Sequence, residues 1–280
     1  MACKKLKNLD TAMLEPHLNS LHNWFGKHTG VVVAFSGGID STLALFLAHK
    51  TLGKNTLGCI SISPSLKRKD YQFAIEFCDK HAIALQAVET RELYDTNYVN
   101  NPPNRCYHCK NHLYDTLSSI ATDYPDWTLV NGINMDDLGD YRPGINAAKE
   151  HGIRSPFVEC RVNKTLIRRV AQYYALPNWN KPASPCLSSR IPYHKQITLR
   201  KLNQIEQAEN WLNKKGYSQV RVRHLDEKAS IEVPLDAVPA LKNDFDNVER
   251  EIKKLGFKEC LIDEEGLISG KLNRALKKHV

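Results

Sequence analysis

The chain has 280 residues, 42% of them hydrophobic, and a formal net charge of +8 at pH 7. It is long enough for two modest domains, read here as residues 1–180 and 199–280 joined by a functional loop over 181–198. No signal-peptide pattern and no membrane-length apolar run occurs, which excludes an integral helical membrane protein and predicts a cytoplasmic one, where the eight cysteines read as thiols or metal ligands rather than disulfides. The positive charge fits a polyanionic ligand such as ATP and also fits RNA, and by itself it does not choose between them.

Leu6, Leu9, Met13, Leu14, Leu18, Leu21, Trp24 and Phe25 recur near helical spacing with Pro16 as an interruption, which predicts an opening helix docked on a sheet. The stretch VVVAFSGGIDSTLALFL, Val31 to Leu47, then runs from a β-branched strand through a glycine turn into a helix. Gly37 and Gly38 lack the Cβ atoms that keep a ligand away from the backbone, so their N–H groups can converge on an anion. The helix opening at Ser41 and Thr42 offers unpaired donors to a phosphate, and Asp40 beside it suits the accompanying Mg²⁺. A bare Gly-Gly turn is most simply a tight turn, but with Ser36, Asp40 and Ser41 at these spacings the pattern resembles the PP-loop of N-type ATP pyrophosphatases. No Gly-Lys-Ser/Thr follows, so it is not a Walker A loop.

Thr56–Ser63 and Ile83–Thr90 read as further strands around a helix at Asp70–His81, which predicts an α/β, Rossmann-like parallel sheet with right-handed crossovers. Its ligand would sit beyond the carboxyl ends of the strands, where the SGG turn lies. Cys59 and Cys78 fall in apolar patterns and read as core residues. The run Asn100-Asn101-Pro102-Pro103-Asn104 forces a loop that delivers Cys106, Cys109 and Lys110 to a helix start. A CxxC there can hold a metal, form a redox disulfide or do nothing.

A fourth strand, Trp127–Asn134, ends in Asp136, Asp137, Asp140 and Arg142, which is either site chemistry or a solvated acidic loop. Asn163 caps a helix from Lys164 to Tyr174. Pro177–Thr198 is a long loop carrying Cys186, Ser188, Ser189 and Arg190, and loops of that length in compact domains are functional or disordered. Cys186 is a third thiol for Cys106 and Cys109, a lone nucleophile, or an unrelated loop thiol; three thiolates with one open position suit a [4Fe–4S] cluster.

From Leu199 a distant half-repeat appears. A helix, Gly216, Tyr217 and a strand over Gln219–His224 are echoed by a helix, Gly256, Phe257 and a strand over Glu259–Asp263. With a strand at Ser230–Val233 this predicts a small α+β domain. Arg221 and Arg223 alternate with valines on one strand face, either as a phosphate clamp or as an exposed basic face. Glu209 and Glu232 are candidates for the same region, and the Lys271–His279 stretch reads as a solvated basic helix end.

In this order SGGIDS, DDLGDYRPG, WNKPASPCLSSRIPY and VRVRH resemble the LarE family of ATP-dependent sulfur transferases over nearly the whole chain. The resemblance implies that pyridinium-3,5-biscarboxylic acid mononucleotide is adenylated at a carboxylate and converted to a thiocarboxylate for a nickel-pincer cofactor. It implies that Ser36, Gly37, Gly38, Asp40, Ser41 and Gly132 hold ATP and Mg²⁺. It further implies that Arg142, Ser189, Arg190, Glu209, Arg221, Arg223 and Glu232 serve the substrate, and that Lys110 acts at the adenylate. One branch of the family spends a loop cysteine as sulfur donor, whereas Cys106, Cys109 and Cys186 together match the branch that carries sulfide on a [4Fe–4S] cluster. The family also implies a homo-oligomer, a hexamer, and leaves the sulfur source open. A cluster-dependent tRNA thiolase is the rival reading, against which stand the lack of a zinc-ribbon CxxC pair and of a Lys/Arg tract. A nonenzymatic ATP- or redox-sensing module is the rival of another class.

Overall fold

The structure is a computed structural model that describes residues 2–139 and 142–274, with side chains from residue 13 onward. The chain runs α1 (Ala2–Phe25), β1 (Val31–Phe35), α2 (Ile39–Leu52), β2 (Thr56–Ile62), α3 (Arg68–His81), β3 (Ala84–Glu89) and α4 (Thr96–Val99). It continues through α5 (Arg105–Ala121), β4 (Thr128–Val130), α6 (Gly144–Glu150), α7 (Pro156–Glu159), α8 (Lys164–Tyr173) and α9 (Leu199–Lys214). It closes with β5 (Arg221–Leu225), β6 (Lys228–Glu232), α10 (Val238–Asn243), α11 (Phe245–Lys254) and β7 (Glu259–Ile262). Among the described residues no helix is long and apolar enough to cross a membrane.

The chain divides into two units. The first comprises Met1–Ser63, Arg68–Thr90 and Cys106–Ser184, and the second Pro64–Lys67, Arg91–Arg105 and Pro185–Val280. This differs from a division at 180 because the segments at 64–67 and 91–105 belong with the later half. Hydrogen bonds explain the difference. Asn101 Nδ2 donates to the carbonyls of Ile191 and Pro192, Arg105 Nη1 donates to the Ser188 carbonyl, and Leu187 N donates to Ser65 O. The part of the expected loop after Pro185 is thus pinned into the second unit rather than acting as a linker.

In the first unit the strands pair in parallel in the order β3-β2-β1-β4. All five residues of β1 are buried, as a strand covered on both faces requires, and each large apolar side chain there contributes roughly 1.5–3 kcal/mol. The chain lays down β1, β2 and β3 in one direction and then returns to place β4 on the other side of β1. The turn after β1 therefore sits at the topological switch point, where an open α/β sheet leaves a crevice. Leu14, Leu18, Leu21, Trp24 and Phe25 bury the inner stripe of α1, as their spacing predicts. Pro16 does not interrupt the helix; it lies on the exposed side, where the carbonyl left without its N–H partner is open to solvent rather than stranded in the core. Cys59 and Cys78 are core residues whose thiols burial pushes up to about 12.

The second unit contains a sheet ordered β5-β6-β7, with β5 antiparallel and β7 parallel to β6. The half-repeat is structural. Gly216 (φ 103°) ends α9 and Gly256 (φ 96°) ends α11, each in backbone territory that disfavours a side chain, and each leads into an outer strand of the sheet. Lys271 is not a solvated basic residue: its ammonium contacts Asp263 and Glu265, and only 17% of its side chain is exposed. The remainder of that basic stretch, residues 275–280, and Asp140 lie outside the described residues.

Candidate active site

The turn after β1 is held open by its own hydroxyls. Ser41 Oγ donates to the Gly38 carbonyl at 3.1 Å and lies 3.0 Å from Ser36 Oγ, while Thr42 Oγ1 donates to the same carbonyl at 2.8 Å. Gly37 adopts φ +68°, and a Cβ there would stand 2.8 Å from the Asp70 carbonyl, so geometry and space both demand glycine. The Gly37 carbonyl accepts from Asn178 Nδ2 and Lys181 Nζ, both at 3.3 Å. Lys181 also pairs with Asp70 at 2.8 Å, and Arg168 braces the segment by donating to the carbonyls of Trp179 and Lys181. With that carbonyl engaged on one side, the Gly38 N–H faces the interior of the turn toward Ser36 Oγ (3.4 Å). A helix N-terminus and a glycine turn presented this way have the donor chemistry to cradle a phosphate.

Carboxylates gather beside it. Asn134 spans Asp40 and Asp137 with one amide nitrogen, 3.3 Å from Asp40 Oδ1 and 2.9 Å from Asp137 Oδ2. Asp40 Oδ2 is paired with Lys164 and Asp137 Oδ1 with Arg142 at 2.8 Å, while Asp136 accepts the backbone N–H of Lys164. Asp137 is buried, so this loop is not simply a solvated acidic one. Burial pushes its carboxyl up against the lowering effects of the Asn134 N–H and Arg142. Hard oxygen donors next to a phosphate cradle fit Mg²⁺, and Asp40 and Asp137 are the residues that would hold it. Gly132, at the end of β4, is where this loop meets α2: a Cβ would lie 2.7 Å from Ser41 N.

In the second unit a different group forms. Arg190 is 1% exposed and clamps Glu209 through Nε (2.7 Å) and Nη2 (3.2 Å), and Lys67 donates to the same carboxylate at 2.9 Å. Burial pushes the Glu209 carboxyl up, but the charges and hydrogen bonds of Arg190 and Lys67 outweigh it and hold it below the usual range. Arg190 Nη1 also donates to the Pro185 carbonyl and to Ser189 Oγ, so this arginine shapes the loop containing Cys186. Arg223 is paired with Glu232 (2.8 and 3.1 Å) and donates to the Ser189 carbonyl at 2.6 Å. Arg221 is 8% exposed and donates to the Ile268 carbonyl, and among the described residues it has no carboxylate within ion-pair distance. Burial, then the charges of Arg190 and Arg223, lower its pKa. Ser189, Arg190, Glu209, Arg221, Arg223 and Glu232, expected from the sequence, therefore form one connected group, and its arginines are buried rather than an exposed basic face.

Cys106 and Cys109 occupy the first turns of α5, one helical turn apart, with Lys110 following and its ammonium 5.9 Å from the Tyr114 ring centroid. Cys186 belongs to the second unit, where it precedes the short 3₁₀ turn Leu187–Arg190. Two thiols spaced Cys-x-x-Cys are the right donor chemistry for an iron–sulfur cluster. Among the described residues no three His, Cys, Asp or Glu side chains are gathered as a metal-holding group.

Sequence reading did not assign roles to Asn134, Lys164, Asn178 or Lys181. A signal for Lys164 existed. It stands at the first position of α8, directly after the Asn163 cap, where a cation opposes the helix dipole and so needs an outside partner.

A four-stranded parallel sheet with an SGG phosphate cradle at its switch point and carboxylates beside it defines a PP-loop ATP pyrophosphatase fold. Comparison with known proteins agrees: the family model described as NAD synthase matches residues 15–106. An uncharacterised protein of Synechocystis sp. is 42% identical over 268 residues, covering 95% of this chain and all of that protein. The pyridinium-3,5-bisthiocarboxylic acid mononucleotide synthase of Lactiplantibacillus plantarum is 35% identical over 249 residues, covering 89% of this chain and 90% of that protein. One of the subunits of the glutamine-hydrolysing GMP synthase of Methanocaldococcus jannaschii is 28% identical over 61% of this chain and 59% of its own length. The chain belongs to the LarE family of ATP-using enzymes.

Proposed function

We propose that the protein adenylates a carboxylate of pyridinium-3,5-biscarboxylic acid mononucleotide and replaces AMP with sulfur, giving a thiocarboxylate for nickel-pincer cofactor biosynthesis. The observation that carries this reading is Arg221, a buried guanidinium with no carboxylate partner among the described residues, in a chain that also has the phosphate cradle at Gly37 and Gly38. A buried cation in that condition calls for an anion, and the mononucleotide has carboxylates and a phosphate to give.

A carboxylate resists nucleophiles until it has a leaving group, and AMP supplies one. The N–H groups of the SGG turn and of the α2 N-terminus stabilise charge on the departing pyrophosphate. Mg²⁺ held by Asp40 and Asp137 would neutralise further phosphate charge. Arg221 orients the substrate through its phosphate or carboxylate, Ser189, Arg190 and Arg223 fix the loop around it, and Arg142 and Lys110 serve the adenylate. A [4Fe–4S] cluster on Cys106, Cys109 and Cys186 would supply a replaceable sulfide as the soft nucleophile. The active form is a cytoplasmic homo-oligomer, a hexamer.

The test is anaerobic purification, iron and sulfide analysis, and mass spectrometry of the products formed with ATP, Mg²⁺ and the mononucleotide. The expected result is AMP release that depends on the mononucleotide, a thiocarboxylate product, and about four irons per chain that are lost in Cys106→Ala without loss of ATP binding. Normal iron content in that variant removes the cluster ligation. An iron-free protein that thiolates once and leaves Cys186 without its sulfur replaces the cluster with a sacrificial cysteine. AMP release indifferent to the mononucleotide removes the substrate assignment.

A further inference from the structure

The Lys164–Asp40 ion pair occupies the oxygen that a divalent cation beside the SGG turn would need. We propose that Lys164 is an exchangeable counter-ion: it neutralises Asp40 in the absence of nucleotide, cedes that carboxylate to Mg²⁺, and moves to the ATP phosphates. The proposal rests on the use of ATP at the SGG turn and is independent of the sulfur chemistry.

The geometry gives the reasons. Asp40 lies in the first turn of α2, directly beyond the glycines. Its Oδ1 accepts from Asn134 at 3.3 Å and its Oδ2 carries the Lys164 ammonium, so a metal that takes Oδ2 meets a cation already in place. Asn134 cannot leave cheaply, because it is 1% exposed and simultaneously fixes Asp137 through its side chain and its backbone N–H. Lys164 can. Its side chain is 32% exposed and that of Asp40 26%, so water can take up the ammonium during exchange. The Lys164 backbone N–H is meanwhile tied to Asp136 Oδ2 at 3.0 Å, and α8 is capped by Asn163, so the ammonium swings on a fixed base.

Charge favours the exchange. The Lys164 ammonium meets Asp40 and Arg142 meets Asp137, while Asp136 accepts the backbone N–H of Lys164. A divalent ion at Asp40 Oδ2 would stand within contact distance of the ammonium, and like charges that close repel strongly in a half-buried site. The flexible stem of lysine allows it to move while remaining charged, which a rigid arginine fork would resist. The nearest new anions are the phosphates that arrive with the metal. Mg²⁺ and ATP therefore bind cooperatively, and neither binds well alone.

The test uses the full chain, with Mn²⁺ followed by electron paramagnetic resonance and nucleotide by calorimetry. Lys164→Gln is expected to bind Mn²⁺ alone several-fold more tightly than the wild type, because the competitor is gone, and to bind MgATP about tenfold more weakly, because the phosphate partner is gone. A structural role would weaken both or neither. Asp40→Asn supplies the converse: Lys164 loses its partner there, so metal-free pyrophosphate binds more tightly than to wild type, and the gain disappears in the Asp40→Asn/Lys164→Gln double variant. Mn²⁺ affinity that is unchanged or weaker in Lys164→Gln, or unchanged MgATP affinity, overturns the proposal while leaving ATP use intact. A wild-type protein that binds no MgATP overturns both.

Discussion

The two units keep their charges in opposite ways. Around the SGG turn each ion pair keeps its cation partly in solvent, and in Lys164–Asp40 about a third of the lysine side chain and a quarter of the aspartate remain exposed. Around Glu209 the pairs are forked and almost fully buried, with Arg190 and Glu209 exposed by 1% and 3%. A half-exposed pair costs little to break and so can trade partners with a ligand. A buried forked pair costs several kcal/mol to break and so acts as architecture. Substitution should therefore separate into effects on binding in the first unit and effects on folding in the second.

The largest expected break is Glu209→Ala. It removes the carboxylate shared by Arg190, Lys67 and the Val222 N–H, and Arg190, which is 1% exposed, loses its only forked carboxylate partner among the described residues. The expected loss is about 3–5 kcal/mol of folding stability, read by denaturant unfolding. A variant with unchanged midpoint would place Glu209 among the exchangeable charges and erase the distinction between the units.

His224 tests the same unit without altering its charge network. It is 3% exposed, stacks tilted on Phe257, and has Nδ1 without a hydrogen-bond partner. Burial first, with help from Lys201, lowers its pKa from 6.5 to about 4. The unfolded chain therefore binds the proton more readily between those values, so stability is complete above pH 6.5, falls with pH, and levels off below about 4. The full loss is on the order of 3 kcal/mol. His224→Phe should flatten that window, and an unaltered pH profile in the variant would assign the dependence to another group.

Gly132→Ala probes the contact between β4 and α2. The new methyl group would meet the Ser41 nitrogen at 2.7 Å and the Asp40 carbonyl carbon at 2.9 Å, both backbone atoms that cannot step aside. About 1–3 kcal/mol of stability should be lost, together with MgATP affinity, because the displaced atoms belong to the cradle. Stability loss with intact MgATP binding would detach Gly132 from the nucleotide.

How much of this was legible in the sequence follows from which interactions are local. Val31–Phe35, the SGG turn and the Asn163 cap are written in consecutive residues, and the Asn163 side chain does accept the Leu166 N–H at 2.9 Å. The Gly216 and Gly256 helix ends were legible as a repeat for the same reason. What the chain did not disclose are the partners reached over long separations: Lys164 for Asp40, Lys181 for Asp70, and Lys67 for Glu209. No local spacing encodes such pairs. The same holds for the placing of 91–105 with the later half, which depends on Asn101 meeting the carbonyls of Ile191 and Pro192. Strand alternation put Arg221 and Arg223 on one face, and family resemblance joined them with Glu209 as substrate residues, but neither separated the arginines that hold the loop from the one left without a carboxylate among the described residues.

That one arginine is the exception within the second unit and gives the smallest expected stability effect. Arg190 and Arg223 are committed to Glu209 and Glu232, whereas Arg221 has a single carbonyl acceptor, and burial together with two neighbouring guanidinium groups already disfavours its charge. Arg221→Met keeps most of the buried stem and removes a cation with no carboxylate partner among the described residues. Folding stability should stay within about 0.5 kcal/mol of the wild type or rise, because no charge is stranded by the change and the carbonyl that loses its donor belongs to the half-buried Ile268, where water can replace it. Binding of the mononucleotide should weaken by about tenfold or more, the value of a charge-assisted contact to a carboxylate or phosphate. Arg223→Met should lose stability as well, because it strands Glu232. If Arg221→Met unfolds the protein as Arg223→Met does, Arg221 is a brace like its neighbours, and the anion that completes this unit must be sought at another residue.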